Sequence, residues 1–281
     1  MSLLPTVMIP SRISQSCEFS GMDEPTRCRD LDHFKNYPGE VYYHYNQRGF
    51  RDLDWPESTD ELKNAIWCIG DSFTKGLGQP WENTWPQRLL AESGTRTINV
   101  SLDGASNQWI SRMAVDILRQ VRPRNMVIMW SYIHRRESDN TSRPAEDRVI
   151  HYVNSTFEQD VDLLLECLQQ VKNHEKSTCI VHTAIPGYRP TMKPWPYIRK
   201  PDWPHKIPGT VAELNALPQH IQDEIYSLDF LMSDIHTNEK IQNNTRVIEI
   251  INQLDRARDG HHFDRVTADW IVEQIVPQLR L

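Results

Sequence analysis

Ser72 lies in the run Ala65-Ile66-Trp67-Cys68-Ile69-Gly70-Asp71-Ser72-Phe73-Thr74-Lys75-Gly76-Leu77-Gly78, and Asp259 and His262 lie together in Asp259-Gly260-His261-His262 near the other end of the chain. A serine hydroxyl becomes a strong nucleophile when a base takes its proton, and that base works best when a third group fixes its tautomer and stabilises the imidazolium. Ser72, His262 and Asp259 can fill those three roles. The three-residue step lets one tight turn bring Asp259 and His262 to one side of the backbone. His261 is the rival imidazole, but only His262 keeps that step. The chemistry implied is attack on an acyl carbonyl.

Such residues need a scaffold that places them. The apolar stretch before Gly70 has strand length, so Ser72 is expected at the carboxyl end of a buried strand, where open α/β sheets put their ligand sites. Glycines on both sides allow a sharp turn and a close approach. A Gly-x-Ser-x-Gly elbow is absent around Ser72, which disfavours the α/β-hydrolases. From residue 65 strands alternate with helices, the pattern of a parallel sheet with crossover helices. Strands are expected at 65–70, 96–100, 126–130 and 178–183. A helix at 84–93 carries the stripe Trp85, Leu89 and Leu90, and a second, capped by Asn107, runs to Val121 before Arg122-Pro123. The helix at 156–174 repeats Phe157, Val161, Leu164, Leu165, Leu168 and Val171 near the helical period. Residues 246–251 read equally as a strand or a helix tail. The last helix, 264–279, is expected to turn Val266, Trp270, Ile271, Ile275 and Val276 inward.

The chain resembles the SGNH (GDSL-type) hydrolase superfamily. Gly70-Asp71-Ser72-Phe73-Thr74 is similar to its first block, Ile98-Asn99-Val100-Ser101-Leu102-Asp103-Gly104-Ala105-Ser106-Asn107 to its second, and Asp259-x-x-His262 to its last, in the family's order. Tyr45-Asn46-Gln47-Arg48-Gly49-Phe50-Arg51-Asp52 resembles a segment that often precedes the serine block. The resemblance covers residues 40–281 and implies a three-layer α/β/α sandwich with a mostly parallel, flavodoxin-like sheet. It also implies a serine esterase with Ser72, Asp259 and His262 as its triad, and an oxyanion hole that includes the N–H groups of Ser72 and Gly104. The family's third block offers an Asn donor to the oxyanion. Here Ser131-Tyr132-Ile133-His134-Arg135-Arg136-Glu137 follows the strand, and Ile133 holds the Asn place. Losing such a donor costs about 2.7–4 kcal/mol of transition-state stabilisation. Either a neighbour substitutes, with His134 first and Asn107 or Arg135 behind it, or the enzyme is weak. Arg135 and Glu137 can instead pair with each other, and Asp71 reads as a turn or capping carboxylate.

Between Ile185 and His205 six prolines exclude a regular helix or central strand. The 186–209 connection reads either as an aromatic lid, with Trp195, Tyr197 and Trp203 as substrate platforms beside Asn107, or as a packed surface loop. Residues 1–40 read as an irregular arm and 41–281 as the catalytic domain. The formal net charge of −7 gives no reason to expect nucleic acid. Cys17, Cys28, Cys68, Cys167 and Cys179 form no Cys-x-x-Cys, although Cys17 and Cys28 could pair in an oxidising compartment. No histidine spacing suggests a metal, and the implied reaction needs no cofactor. No apolar run is long enough to span a bilayer and no secretory signal is recognisable, so a soluble, cytoplasmic chain is expected. The expected substrate is a small molecule or glycan carrying a short acyl ester. An O-acetyltransferase using the same triad, or an impaired glycan-binding module, are the rivals.

Overall fold

A strand whose residues are apolar on both sides of the pleat must be covered on both faces. Ile66, Trp67, Cys68 and Ile69 are all fully buried and alternate between two cores. The structure, a computed structural model, describes residues 4–28, 31–132, 135–137, 149–150, 157–184, 245–248, 255–260 and 262–281. In chain order the elements are β1 (Ser16–Cys17), α1 (Leu31–Lys35), β2 (Tyr43–His44), α2 (Thr59–Asn64), β3 (Ile66–Gly70), α3 (Ser72–Lys75), α4 (Trp85–Ser93), β4 (Thr97–Ser101), α5 (Asn107–Gln120), β5 (Asn125–Trp130), β6 (Arg136–Glu137), β7 (Val149–Ile150), α6 (Phe157–Lys172), β8 (Cys179–Ala184), β9 (Thr245–Ile248) and α7 (Arg265–Ile275).

The main sheet is parallel and ordered β4-β3-β5-β8-β9. Trp67, Ile69, Met126 and Ile128 point to the face covered by α5 and α6, whose Ile110, Ala114, Ile117, Leu164 and Leu168 complete that core. Ile66, Cys68, Val127 and Met129 point to the other face, closed by Trp85 and Leu89 of α4 and by Ala268, Ile271, Val272 and Ile275 of α7. The result is the expected α/β/α sandwich. Of the ambiguous 246–251 stretch, residues 246–248 belong to β9, the outer strand of the parallel sheet among the described residues, and 249–251 lie outside the described residues.

Two details depart from the sequence reading. The cap of α5 is Ser106, whose side chain accepts from the Trp109 N–H at 3.2 Å, and Asn107 is the first helical residue. Val266 is 67% exposed, because the inward stripe of α7 runs through Ala268, Ile271, Val272 and Ile275 at helical spacing. The amino terminus of α7 is also held from outside itself. Asp255 accepts from the N–H groups of Val266 at 2.6 Å and Thr267 at 3.0 Å and from the Thr267 hydroxyl at 2.7 Å. At the start of the chain Leu4, Val7 and Ile9 enter the first core beside Phe50.

Candidate active site

β3 lies between β4 and β5: the connection from β3 passes to β4 on one side, and that from β4 crosses back to β5 on the other. Doubly wound sheets hold their ligands beyond the carboxyl ends of the strands at such a reversal. Gly70 pairs with Ser101, and Ile69 with both Val100 and Ile128, so the segments after all three strands emerge together. Ser72 opens α3 two residues beyond Gly70. Asp71 caps that helix by accepting from the Phe73 N–H at 3.0 Å. Gly70 must be bare, since a Cβ there would meet Thr74 Oγ1 at 2.1 Å. After α3, Gly78 has φ +72° and lies against the tail segment, where a Cβ would meet Ala257 Cβ at 3.0 Å and Asp259 N at 3.1 Å. Both glycines thus make room for other parts of the protein.

The tail segment is a compact turn. Ala257 N–H donates to the His262 carbonyl at 2.9 Å, Gly260 N–H to the Ala257 carbonyl at 2.8 Å, and Arg258 N–H to the Gly78 carbonyl at 2.8 Å. Asp259 uses both carboxylate oxygens on His262: Oδ1 accepts from its backbone N–H at 3.0 Å, and Oδ2 lies 2.5 Å from Nδ1. On the far side of the ring, Nε2 lies 2.8 Å from Ser72 Oγ. Phe73 packs on the imidazole with ring centroids 4.4 Å apart. Ser72, Asp259 and His262 are all buried. Burial alone would push His262 down, but the charge and hydrogen bond of Asp259, with Asp103 and Asp71 beyond, carry it above its ordinary value. An imidazole held this way, with one nitrogen on a carboxylate and the other on a hydroxyl, can accept the hydroxyl proton as the oxygen attacks.

Asp71 lies behind the serine. Its Oδ2 accepts from Ser131 Oγ at 2.8 Å and from Arg135 Nη1 at 2.6 Å. Burial raises its pKa, opposed first by the Arg135 charge. Arg135 therefore pairs with Asp71, while Glu137 pairs with Arg112, which corrects the expectation that Arg135 and Glu137 pair with each other. The expected substrate contact Asn107 is also otherwise engaged. Its Oδ1 accepts from the Ser131 N–H at 2.7 Å and its Nδ2 donates to the Ser131 carbonyl at 3.1 Å, bracing the segment after β5.

Gly104 sits in the turn after β4 with φ +72°, a conformation glycine adopts without penalty. Its neighbour Asp103 contributes to the field at His262 and at Lys75. Ile133, His134, Trp195, Tyr197, Trp203 and His261 lie outside the described residues. The disulfide considered for Cys17 and Cys28 is not formed. Among the described residues no group of His, Cys, Asp and Glu could hold a metal ion, and no helix is long and apolar enough to cross a membrane.

The segment Tyr45–Asp52 does more than precede the serine block. Buried Arg51 donates to the carbonyls of Gly76 at 2.5 Å, Gln79 at 2.8 Å and Tyr42 at 3.0 Å, pinning the chain that follows Ser72. Asp52 accepts from the Asn99 N–H at 3.1 Å, and Asn99 Nδ2 donates to the Thr74 carbonyl at 3.1 Å, joining β4 to α3. An Arg-Asp pair in a polar run carries no periodic signal, and these roles are visible only once the strands are side by side.

No family model matches the sequence, and no curated protein matches it. Among solved structures the chain is similar to TesA at 15% identity and a TM-score of 0.44, covering 77% of this chain and 98% of that one. It is similar to a family two carbohydrate esterase from Clostridium thermocellum, solved with cellohexaose, at 12% identity and a TM-score of 0.45, covering 79% and 64%. A member of the lipolytic protein G-D-S-L family from Veillonella parvula DSM 2008 aligns at 14% identity and a TM-score of 0.41, covering 77% and 99%. None of the three speaks to what this chain acts on, and the chemistry is carried by its own side chains.

Proposed function

We propose that this chain is a serine esterase of the SGNH (GDSL-type) superfamily that hydrolyses a short acyl ester on a polar acceptor such as a carbohydrate. The observation that carries the reading is the relay of Ser72 Oγ, 2.8 Å from His262 Nε2, and His262 Nδ1, 2.5 Å from Asp259 Oδ2. Ser72 Oγ attacks the ester carbonyl as His262 takes its proton. Asp259 holds the ring so that Nδ1 carries a proton and Nε2 accepts one. The oxyanion of the tetrahedral intermediate is received by the backbone N–H groups of Ser72 and Gly104, on neighbouring strand ends. The intermediate collapses as imidazolium protonates the leaving alcohol. Water deprotonated by the same His262 then attacks the acyl-enzyme, releasing the acid and restoring Ser72.

Asp71 stays out of the proton transfers, since its carboxylate is occupied by the Phe73 N–H, the Ser131 hydroxyl and Arg135. The preference for a polar acceptor rests on the chain's mean hydropathy of −0.61 and on Trp195, Tyr197 and Trp203 in the proline-rich 186–209 segment, since aromatic faces suit sugar rings. The test is turnover of p-nitrophenyl acetate and of an acetylated oligosaccharide. The wild type is expected to release acetate from both, and Ser72→Ala to fall to the uncatalysed rate. Equal rates for the two proteins would refute the reading.

A further inference from the structure

One short turn near the start of the chain, Ser20 to Asp23, reaches all three segments that bring the triad and the oxyanion glycine together. It is closed by the Asp23 N–H donating to the Ser20 carbonyl at 3.0 Å. Its first residue engages the serine segment: Lys75, one turn after Ser72 on α3, is buried and donates from Nζ to Ser20 Oγ at 2.8 Å. The same hydroxyl also meets Tyr45 at 3.0 Å. Its second residue abuts the oxyanion segment: Gly21, at φ +60°, lies so close to Asp103 that a Cβ would fall 2.0 Å from Oδ2. Asp103 directly precedes Gly104. Its last residue engages the histidine segment. Asp23 is fully buried and forms a two-pronged pair with Arg258, through Nε at 2.9 Å and Nη2 at 2.6 Å. Arg258 directly precedes Asp259. Asp23 also accepts from Tyr43 OH at 2.5 Å, and that oxygen accepts from the Gly78 N–H at 2.8 Å, closing the circuit back to the serine segment.

We infer that the Ser20–Asp23 turn is a positioning element of the active site, setting the register of the Ser72, Gly104 and Asp259–His262 segments against one another. This rests on the esterase reading of the same site. The physical reason is geometric. The three segments enter the site from separate places in the chain, and the Ser72–His262 contact spans 190 residues of sequence. A small displacement of any one of them spoils the alignment on which rate depends, and about 1 Å of misplacement costs on the order of 10²-fold. A buried carboxylate that grips the residue before Asp259 with two bonds fixes direction as well as distance. A role confined to stability would lower the amount of folded protein while leaving each folded molecule at full rate.

The experiment compares wild type with Asp23→Asn, Asp23→Glu, Gly21→Ala and Leu4→Ala, using p-nitrophenyl acetate turnover and fluorophosphonate labelling of Ser72, with thermal unfolding of each protein. Leu4→Ala removes a side chain from the first core, which holds no residue of the turn, and serves as the control for destabilisation. Asp23→Asn keeps shape but loses charge and one acceptor, and is expected to lower kcat roughly tenfold or more with KM within a factor of about two. Asp23→Glu recovers part of that loss. Gly21→Ala, which pushes on Asp103, lowers kcat with the melting temperature above the assay temperature, and it carries the test if Asp23→Asn does not fold. Leu4→Ala melts lower at unchanged kcat. Wild-type kcat and labelling in folded Asp23→Asn and Gly21→Ala would overturn this inference and leave the esterase reading standing. A wild type that neither turns over nor labels would overturn both.

Discussion

Lys75 is the group whose burial has the clearest thermodynamic consequence. It is 2% exposed, its ammonium donates to Ser20 Oγ at 2.8 Å, and it lies 5.2 Å from the centre of the Tyr45 ring. Burial, helped by the nearby Arg12 charge and opposed by Asp103, lowers its pKa from an ordinary 10.5 to about 7. The folded pKa is depressed for a cationic group, so the unfolded chain holds a proton that the folded chain lacks over the window between about 7 and 10.5. Stability therefore rises with pH across that window and levels off below it. At 1.36 kcal/mol per pH unit the full span is about 5 kcal/mol, and the part between pH 7 and pH 9 is about 2 kcal/mol after allowing for partial protonation near pH 7. Lys75→Met keeps the stem and removes the titration. Denaturant unfolding of both proteins from pH 6 to pH 10 is expected to show wild type gaining about 2 kcal/mol on Lys75→Met between pH 7 and pH 9, with the variant the more stable at pH 6. Parallel curves over that range would refute the argument that this amine is buried at the cost of its charge.

In the proposed reaction the neutral imidazole of His262 is the base, so its raised pKa is expected to place the acid limb of kcat/KM above pH 6.5. Asp259→Asn is expected to move that limb down and to lower kcat by roughly 10⁴, which a pH–rate profile of both proteins checks. Arg135→Met leaves Asp71 buried without its cation and is expected to lose about 3–5 kcal/mol in denaturant unfolding, most of it recovered in the double variant with Asp71→Asn. Gly78→Ala forces a side chain into a left-handed position against Ala257 and Asp259. It is expected to cost about 1 kcal/mol or more and to reduce kcat, measured by unfolding and by turnover.

The strands and the turn that joins Asp259 to His262 were legible because each leaves a local mark. β3 and β5 read as unbroken apolar runs, since both of their faces are covered, and Asp259 with His262 read as one turn by spacing alone. The inward face of α7 was misassigned at Val266 because a terminal turn offers too few residues to fix the phase of the stripe. The contributions of Asp23, Arg51, Asp52 and Arg135 were illegible for a different reason. Each acts across long stretches of sequence, as with Asp23 and Arg258, 235 residues apart, and a single charge in a polar run gives no indication of its partner. The same holds for Ser106 and Asn107, where two adjacent residues can both cap a helix on paper and only the fold shows that Asn107 is needed at Ser131.

The nucleophile assignment is tested most directly by treating the folded wild type, Ser72→Ala and His262→Ala with a fluorophosphonate and locating the adduct by peptide mass spectrometry. A single adduct on Ser72 is expected in wild type, none at that position in Ser72→Ala, and strongly slowed modification in His262→Ala. An unmodified Ser72 in active wild-type protein, or an adduct formed equally fast without His262, would contradict it.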